Sequence, residues 1–415
     1  MKKEVLENLN NINESEKKEL IRLLEDNTSI SEYLKSGYEE IMNRWKSEYP
    51  MFDIPTSLVS ISINGVTNYY NLGNSHYDEN TVFDIASMTK LYTEFILFDV
   101  IDEYGLTLDT KIRDIVSFYE SIGDLTLMDL ISFNNTYKTK IDIRECKNKK
   151  EAIEALRTIY IDEEKIGYYL YTDLPIMVLT DIMEEYTSLS YKELFDKYII
   201  SKYNLNDTYL DINMGERYIT VNKNLVNDPK ANIMGGYYGH GGVKASSKDF
   251  IKFLNSVFES KYRDLFTTVS KTLNSDGSAC VKKALVGNLN LSVSNDDSLA
   301  SKYLPKEGFA IQGSVRCHGE TAIFKVDHKE YEVSISIFID LYTQVDNILE
   351  YEKVSGNVIT KEYSLNGYDN LIMCDVRSLL SYKKHYKELT NLVGKARVLE
   401  LYNHIKEVIR SNYSE

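Results

Sequence analysis

The chain is poor in the residues that cross-link, punctuate or bind metal: 4 cysteines, 5 prolines, 6 histidines and one tryptophan among 415 residues. Cys146, Cys280, Cys317 and Cys374 are widely spaced and form no Cys-x-x-Cys pair. That pattern excludes a disulfide framework and suits reduced thiols in a cytosolic protein. No His-x-x-x-His pair occurs, so no metal and no cofactor is expected. Basic residues are also scarce: 48 Lys and Arg against 63 Asp and Glu, a net charge of -15. A nucleic-acid surface needs clustered Lys and Arg, and an anionic membrane would repel this chain, so neither partner is expected. No run approaches the roughly 18 apolar residues of a transmembrane helix. The opening Met1-Lys2-Lys3-Glu4-Val5-Leu6-Glu7 lacks the apolar core of a signal peptide, and a cytoplasmic location is the expectation. Repeats and low-complexity linkers are missing too, which points to one large two-lobed unit with smaller appendages.

What the chain does have is Thr81-Val82-Phe83-Asp84-Ile85-Ala86-Ser87-Met88-Thr89-Lys90, followed by apolar Leu91, Phe95, Ile96 and Leu97. A serine three residues before a lysine on a helix shares a face with it. A serine hydroxyl needs a neighbour to take its proton, and a lysine amine can do so if its environment lowers its pKa towards neutrality. The apolar context predicts a buried helix whose first turn carries both groups, with Asp84 or Ser87 as cap.

This stretch resembles the serine β-lactamase and penicillin-binding-protein superfamily, in which that serine accepts the acyl group; the wording is closest to the class C-like branch of D-peptidases, esterases and acyltransferases. Asp109-Thr110-Lys111-Ile112 and the helix-like Leu125–Ile131 fit the same family, although the next turn, Ser132-Phe133-Asn134-Asn135-Thr136, has Phe133 where the family usually has histidine. The family's Tyr-x-Asn is matched by Tyr171-Thr172-Asp173, ahead of an apolar helix from Leu174 to Glu185. A phenol there would relay the proton to the leaving group. Asn227-Asp228-Pro229-Lys230-Ala231 and the glycine-rich Gly235–Gly242 lead, as in the family, to a helix start at Ser246-Ser247-Lys248-Asp249. His240 lies in that loop, either lining the site or making a structural hydrogen bond. The third family motif, a strand with a cation and an open glycine edge, falls within Gly308–Phe324 in one of two registers. One register places the cation at His318, the favoured choice, with Glu320 where glycine belongs; the other places it at Arg316.

The resemblance implies an α+β, β-lactamase-like (DD-peptidase) fold: an antiparallel sheet flanked by helices, plus a helical lobe across a cleft. The expected organisation is a helical extension over 1–48, a serine hydrolase domain over 49–345 and a helical C-terminal segment over 346–415, read as a packing appendage or as a dimerisation or substrate-gating element. Leu58–Ile63, Asn64-Gly65 and Val66–Leu72 read as a β-hairpin. An all-helical insertion is expected between the Ser87 and Tyr171 helices. The expected catalytic residues are Ser87, Lys90, Tyr171 and His318, with Asp173, Arg316 and His240 contacting substrate. The function implied is a serine hydrolase working through an acyl-serine on a small ester, amide or D-amino-acyl peptide. The alternatives are an acyltransferase of small-molecule biosynthesis, or an eroded binding protein on the same fold.

Overall fold

The computed structural model describes residues 56–63, 66–72, 77–166, 168–210, 218–219, 228–267, 289–290, 308–315, 317–326 and 331–340, with residue 43 alone before them. The terminal segments expected to be helical, 1–48 and 346–415, and Arg316 lie outside the described residues, save Asn43, which is helical.

Strand β1 (Thr56–Ile63) pairs antiparallel with β2 (Val66–Leu72), Ile63 standing opposite Val66. Strands β9 (Leu289–Asn290), β10 (Gly308–Val315), β11 (Cys317–Val326) and β12 (Tyr331–Asp340) complete a sheet in the order β2-β1-β12-β11-β10-β9. Its inner face at β1 is set by alternation: Leu58, Ser60 and Ser62 are all buried. The small serines let a helix lie close, and both are bonded to it. Ser60 meets Ser247, and Asn255 Nδ2 donates to Ser62 Oγ at 2.9 Å.

A second sheet joins β3 (Val82–Asp84) to β8 (Lys244–Ser246) antiparallel and to β7 (Tyr218–Ile219) parallel, with β6 (Thr208–Tyr209) on the far side of β8. Helix α1 (Thr89–Tyr104) runs from β3 through the middle of the protein. It is buried from Thr89 to Phe98 and opens to solvent only towards its end, at Asp102–Tyr104. Aromatic rings pack its length: Tyr92 lies 4.3 Å from Phe253, and Phe98 stacks on Tyr262 at 4.2 Å. The helix ends at Gly105 in the left-handed region, φ 70°.

The lobe beside α1 holds α2 (Leu127–Ser132), started by a capping box between Thr126 and Asp129, and α3 (Leu174–Thr187). It is not all-helical as expected. Strands β4 (Asn135–Lys138) and β5 (Tyr160–Ile166) pair within it. They are remote in sequence, so no hairpin turn announces them. Short α4 (Pro229–Ile233) and α5 (Ser247–Ser256) complete the elements that frame the site; Ser246 caps α5 by accepting the Asp249 N–H at 3.1 Å.

Candidate active site

The nucleophile candidate sits on a tight turn between β3 and α1. Ile85 N–H donates to Val243 O at 3.1 Å, and the Asp84 carboxylate accepts the Ala86 N–H at 2.9 Å. Between them Ala86 takes φ 49°, a left-handed conformation costing an L-residue about 1–2 kcal/mol. A 3₁₀ turn over Ala86–Met88 then feeds α1. Asp84 therefore acts on the turn rather than as the helix cap, and Ser87 remains partly exposed.

One turn on, Lys90 is 3% exposed and all of its ammonium donors are used. Nζ donates to Ser87 Oγ at 3.0 Å and to His240 O at 2.9 Å, and pairs with Asp173 Oδ1 at 2.8 Å. The glycine loop makes the second contact. Thr93, on the same face of α1, donates to Gly239 O at 2.7 Å, while a Cβ on Gly239 would collide with Thr180 Oγ1 of α3. Only glycine lets the loop wedge between the two helices with its carbonyls on α1.

Asp173 holds a second cation: Lys230 Nζ donates to its other oxygen at 2.6 Å. Burial alone would deprotonate Lys90, but Asp173 outweighs it, helped by Tyr171, and the lysine is held well above its ordinary range. Burial alone would likewise raise the Asp173 carboxyl; Lys90, with His240 and Lys230, drives it far below its ordinary range instead. The resting pair is an ammonium and a carboxylate. This corrects the expectation of a lysine tuned towards neutrality.

Tyr171 stands at the mouth, 47% exposed, with Lys90 Nζ 5.1 Å from its ring centroid. Phe133 stacks on it, centroids 5.6 Å apart and planes 20° from parallel. Phe133 is itself buried at the left-handed end of α2, φ 55°. The residue that departs from the family's histidine thus gives the phenol a wall.

Strand β10 closes the other side at Gly313. A Cβ there would run into Ile85 O and lie 3.2 Å from Ser87 N and Met88 N. A strand glycine marks just such a close backbone approach.

A family model described as Beta-lactamase matches residues 48–312. The chain belongs to the β-lactamase family. Among solved structures, a class C β-lactamase of Rhodobacter sphaeroides is 16% identical with TM-score 0.53, over 76% of this chain and 99% of that one. A β-lactamase of a Sulfitobacter species is 14% identical with TM-score 0.56, covering 79% and 100% of the two chains. A protein of Pseudomonas syringae titled β-lactamase/D-alanine carboxypeptidase is 15% identical with TM-score 0.52, covering 79% and 99%. No curated protein matches the chain. Likeness at this identity speaks for the β-lactamase-like α+β fold, with the sheets and helices described above. Among the described residues, no helix is long and apolar enough to cross a membrane.

Within this family fold, the structure brings Ser87, Lys90, Tyr171 and Asp173 together. His240 takes part through its carbonyl; its imidazole is 0% exposed, faces Asp228 Oδ1 at 3.4 Å without hydrogen-bond alignment, and does not line an open site. Burial works to raise the Asp228 carboxyl, but His240 and the Ala231 N–H hold it low. Gly313 of β10 lies against the serine turn, and His318 lies on the adjoining β11, paired with Ser314. Gly308–Val315 contains no basic residue. Ligand atoms of Asp173, Asp228 and His240 lie within 4.8 Å of one another, a spacing a metal could use. Both Asp173 oxygens already carry ammonium groups, and the cluster is better described as ion pairs. Sequence reasoning missed Lys230 and Gly313. The interior strand glycine was a usable signal; for Lys230 there was none.

Proposed function

We propose that this protein is a serine hydrolase or acyltransferase in which Ser87 forms an acyl-enzyme with an ester, amide or D-amino-acyl peptide. The observation that carries the reading is the 3.0 Å hydrogen bond from the Lys90 ammonium to Ser87 Oγ, on a donor whose other contacts are all satisfied within the protein. Such a lysine cannot wander, and it fixes the hydroxyl's direction. Because Lys90 is charged at rest, it serves as hydrogen-bond donor and electrostatic anchor rather than base. Tyr171 is the group left to relay the proton. Ser87 Oγ attacks the carbonyl carbon as its proton passes to the Tyr171 oxygen, and the carbonyl electrons move to the oxyanion. The intermediate collapses, the bond to the leaving group breaks, and Tyr171 returns the proton to that group. Water or another nucleophile then releases the acyl group by the same steps in reverse. The N–H of Ser87, at the start of the central helix and faced by Gly313, suits a developing oxyanion.

The test is intact-protein mass after exposure to a fluorophosphonate, then to activated esters, D-amino-acyl peptides and β-lactams. One adduct is expected on the wild type and none on Ser87→Ala. Labelling that persists in Ser87→Ala would remove the serine from its role. Whether water or another acceptor is used is read from the products formed with and without added amines.

A further inference from the structure

We propose that Thr93 is a positioning residue for Lys90: by holding the Gly239 carbonyl it fixes the neighbouring His240 carbonyl, which in turn keeps the ammonium on Ser87. The inference rests on the acyl-enzyme reading above. The glycine loop meets α1 with two successive carbonyls. Tyr238 and Gly241 close a turn by exchanging N–H···O bonds at 3.0 and 3.1 Å, so Gly239 and His240 form its tip. Gly239 O accepts from Thr93 Oγ1 at 2.7 Å, and His240 O accepts from Lys90 Nζ at 2.9 Å. Thr93 and Lys90 are three residues apart and share a face of α1. Peptide planarity leaves only the φ and ψ of His240 between the two carbonyls, and that residue is buried. A shift of one carbonyl is therefore carried to the other.

The direction of each bond in the clamp is fixed. Thr93 has one hydroxyl proton to give. Gly239 O takes it at 2.7 Å, with Thr89 O standing off at 3.4 Å. The Tyr191 hydroxyl, 2.9 Å from Thr93 Oγ1, is then the donor to Thr93. Burial holds that phenol above its ordinary range, so its proton is there to give. Donation into Thr93 strengthens the bond that Thr93 makes to the loop.

Glu184 of α3 closes the circuit. Ser190 caps the short helix Tyr191–Phe195, whose first N–H groups have no partner within the helix. Glu184 Oε1 accepts the Tyr191 N–H at 2.8 Å, and Glu184 Oε2 accepts the Tyr238 hydroxyl at 2.9 Å. The path from Thr93 through Tyr191, Glu184 and Tyr238 thus returns to the turn whose tip Thr93 holds. Thr93, Tyr191 and Tyr238 are all buried, so water cannot replace the bonds they make.

The experiment measures Ser87 labelling by a fluorophosphonate, resolved into probe binding and maximal rate, on wild type, Thr93→Val, Thr93→Ser and Tyr191→Phe. Valine keeps the shape of threonine and removes the hydroxyl. Its maximal rate should fall about 10- to 100-fold with probe binding unchanged, the loss that a displacement of up to about an ångström can cause. Serine keeps the hydroxyl and should restore most of the rate, although it deletes a buried methyl. Tyr191→Phe takes away the donor to Thr93 and should fall in between; it also covers the case that valine fails to fold. If Thr93 were only structural, labelling would follow melting temperature, and serine would label no better than valine; that result overturns the proposal. Labelling of Thr93→Val at the wild-type rate overturns it as well. A second readout needs no acylation: crystal structures of wild type and Thr93→Val. Loss of the contact between Lys90 Nζ and His240 O in the variant supports the clamp even if wild-type Ser87 takes no probe, in which case only the acyl-enzyme reading fails. The same contact kept in the variant overturns the clamp itself.

Discussion

Replacing Asp173 by asparagine keeps the shape of the side chain and removes the charge on which two ammonium groups depend. The Asp173–Lys90 separation is 2.8 Å, so at an effective dielectric of about 20 the attraction lost is about 6 kcal/mol. That is an upper figure, because Lys90 can relieve itself by shedding its proton. Removing one member of a buried pair typically costs about 3–5 kcal/mol, and the loss at pH 6 should fall there. The deficit should then shrink with pH. In the wild type the folded-state pKa of Lys90 is raised, so its stabilisation is complete below the unfolded value of about 10.4 and is lost only above it. In Asp173→Asn burial outweighs what Tyr171 still contributes, and the folded-state pKa falls below the unfolded one. Folding then releases a proton, and the variant gains stability relative to wild type as pH climbs towards 10. Urea unfolding of both proteins at pH 6, 8 and 9.5 measures the difference directly, and other titrating groups cancel. Fluorophosphonate labelling of Ser87 adds a chemical readout: a neutral amine beside the hydroxyl should move the rise in labelling rate to lower pH. A deficit that stays constant from pH 6 to 9.5 would show that Asp173 does not set the protonation of Lys90.

Other perturbations follow from the same geometry. Tyr171→Phe should lower turnover by about 10²–10⁴-fold, the usual worth of a general acid–base group, while the melting temperature stays put because the ring is 47% exposed; near-normal turnover would take the proton relay away from this residue. Phe133→Ala removes the wall behind that phenol and should slow Ser87 acylation with a smaller change in KM, measured by stopped-flow with an activated ester. Gly313→Ala drives a methyl into Ile85 O and should cost about 1–3 kcal/mol together with a loss of Ser87 labelling. Gly105→Ala, where φ is +70° but nothing stands within 4 Å, should cost about 1–2 kcal/mol and leave labelling intact. Equal effects from the two glycines would deny any special approach of β10 to the serine.

Much of this was legible without coordinates, because the relevant signals are short-range. Ser87 and Lys90 share a face through helical spacing alone, and their hydrogen bond follows from it. Ser246 before Asp249, and Leu58 alternating towards Ser62, place a cap and a strand face by local rules. Helix α3 announced itself by its apolar run behind Asp173. The strands β4 and β5 were not legible, since their pairing joins segments with no turn between them.

Tertiary structure decided what depends on distance through space. The residue types Lys90 and His240 suggested a base and a ligand. Folding put a carboxylate from the head of α3 against the lysine, turned the histidine ring inward and left only its carbonyl in the site. Only packing shows that Gly313 of β10 is a residue over the serine turn, because the close approach joins segments far apart in the chain. A side chain's position along an element is set by periodicity that the sequence carries. Its charge depends on which groups come within a few ångströms, and here Asp173, Lys230 and His240 are brought to Lys90 from distant parts of the chain.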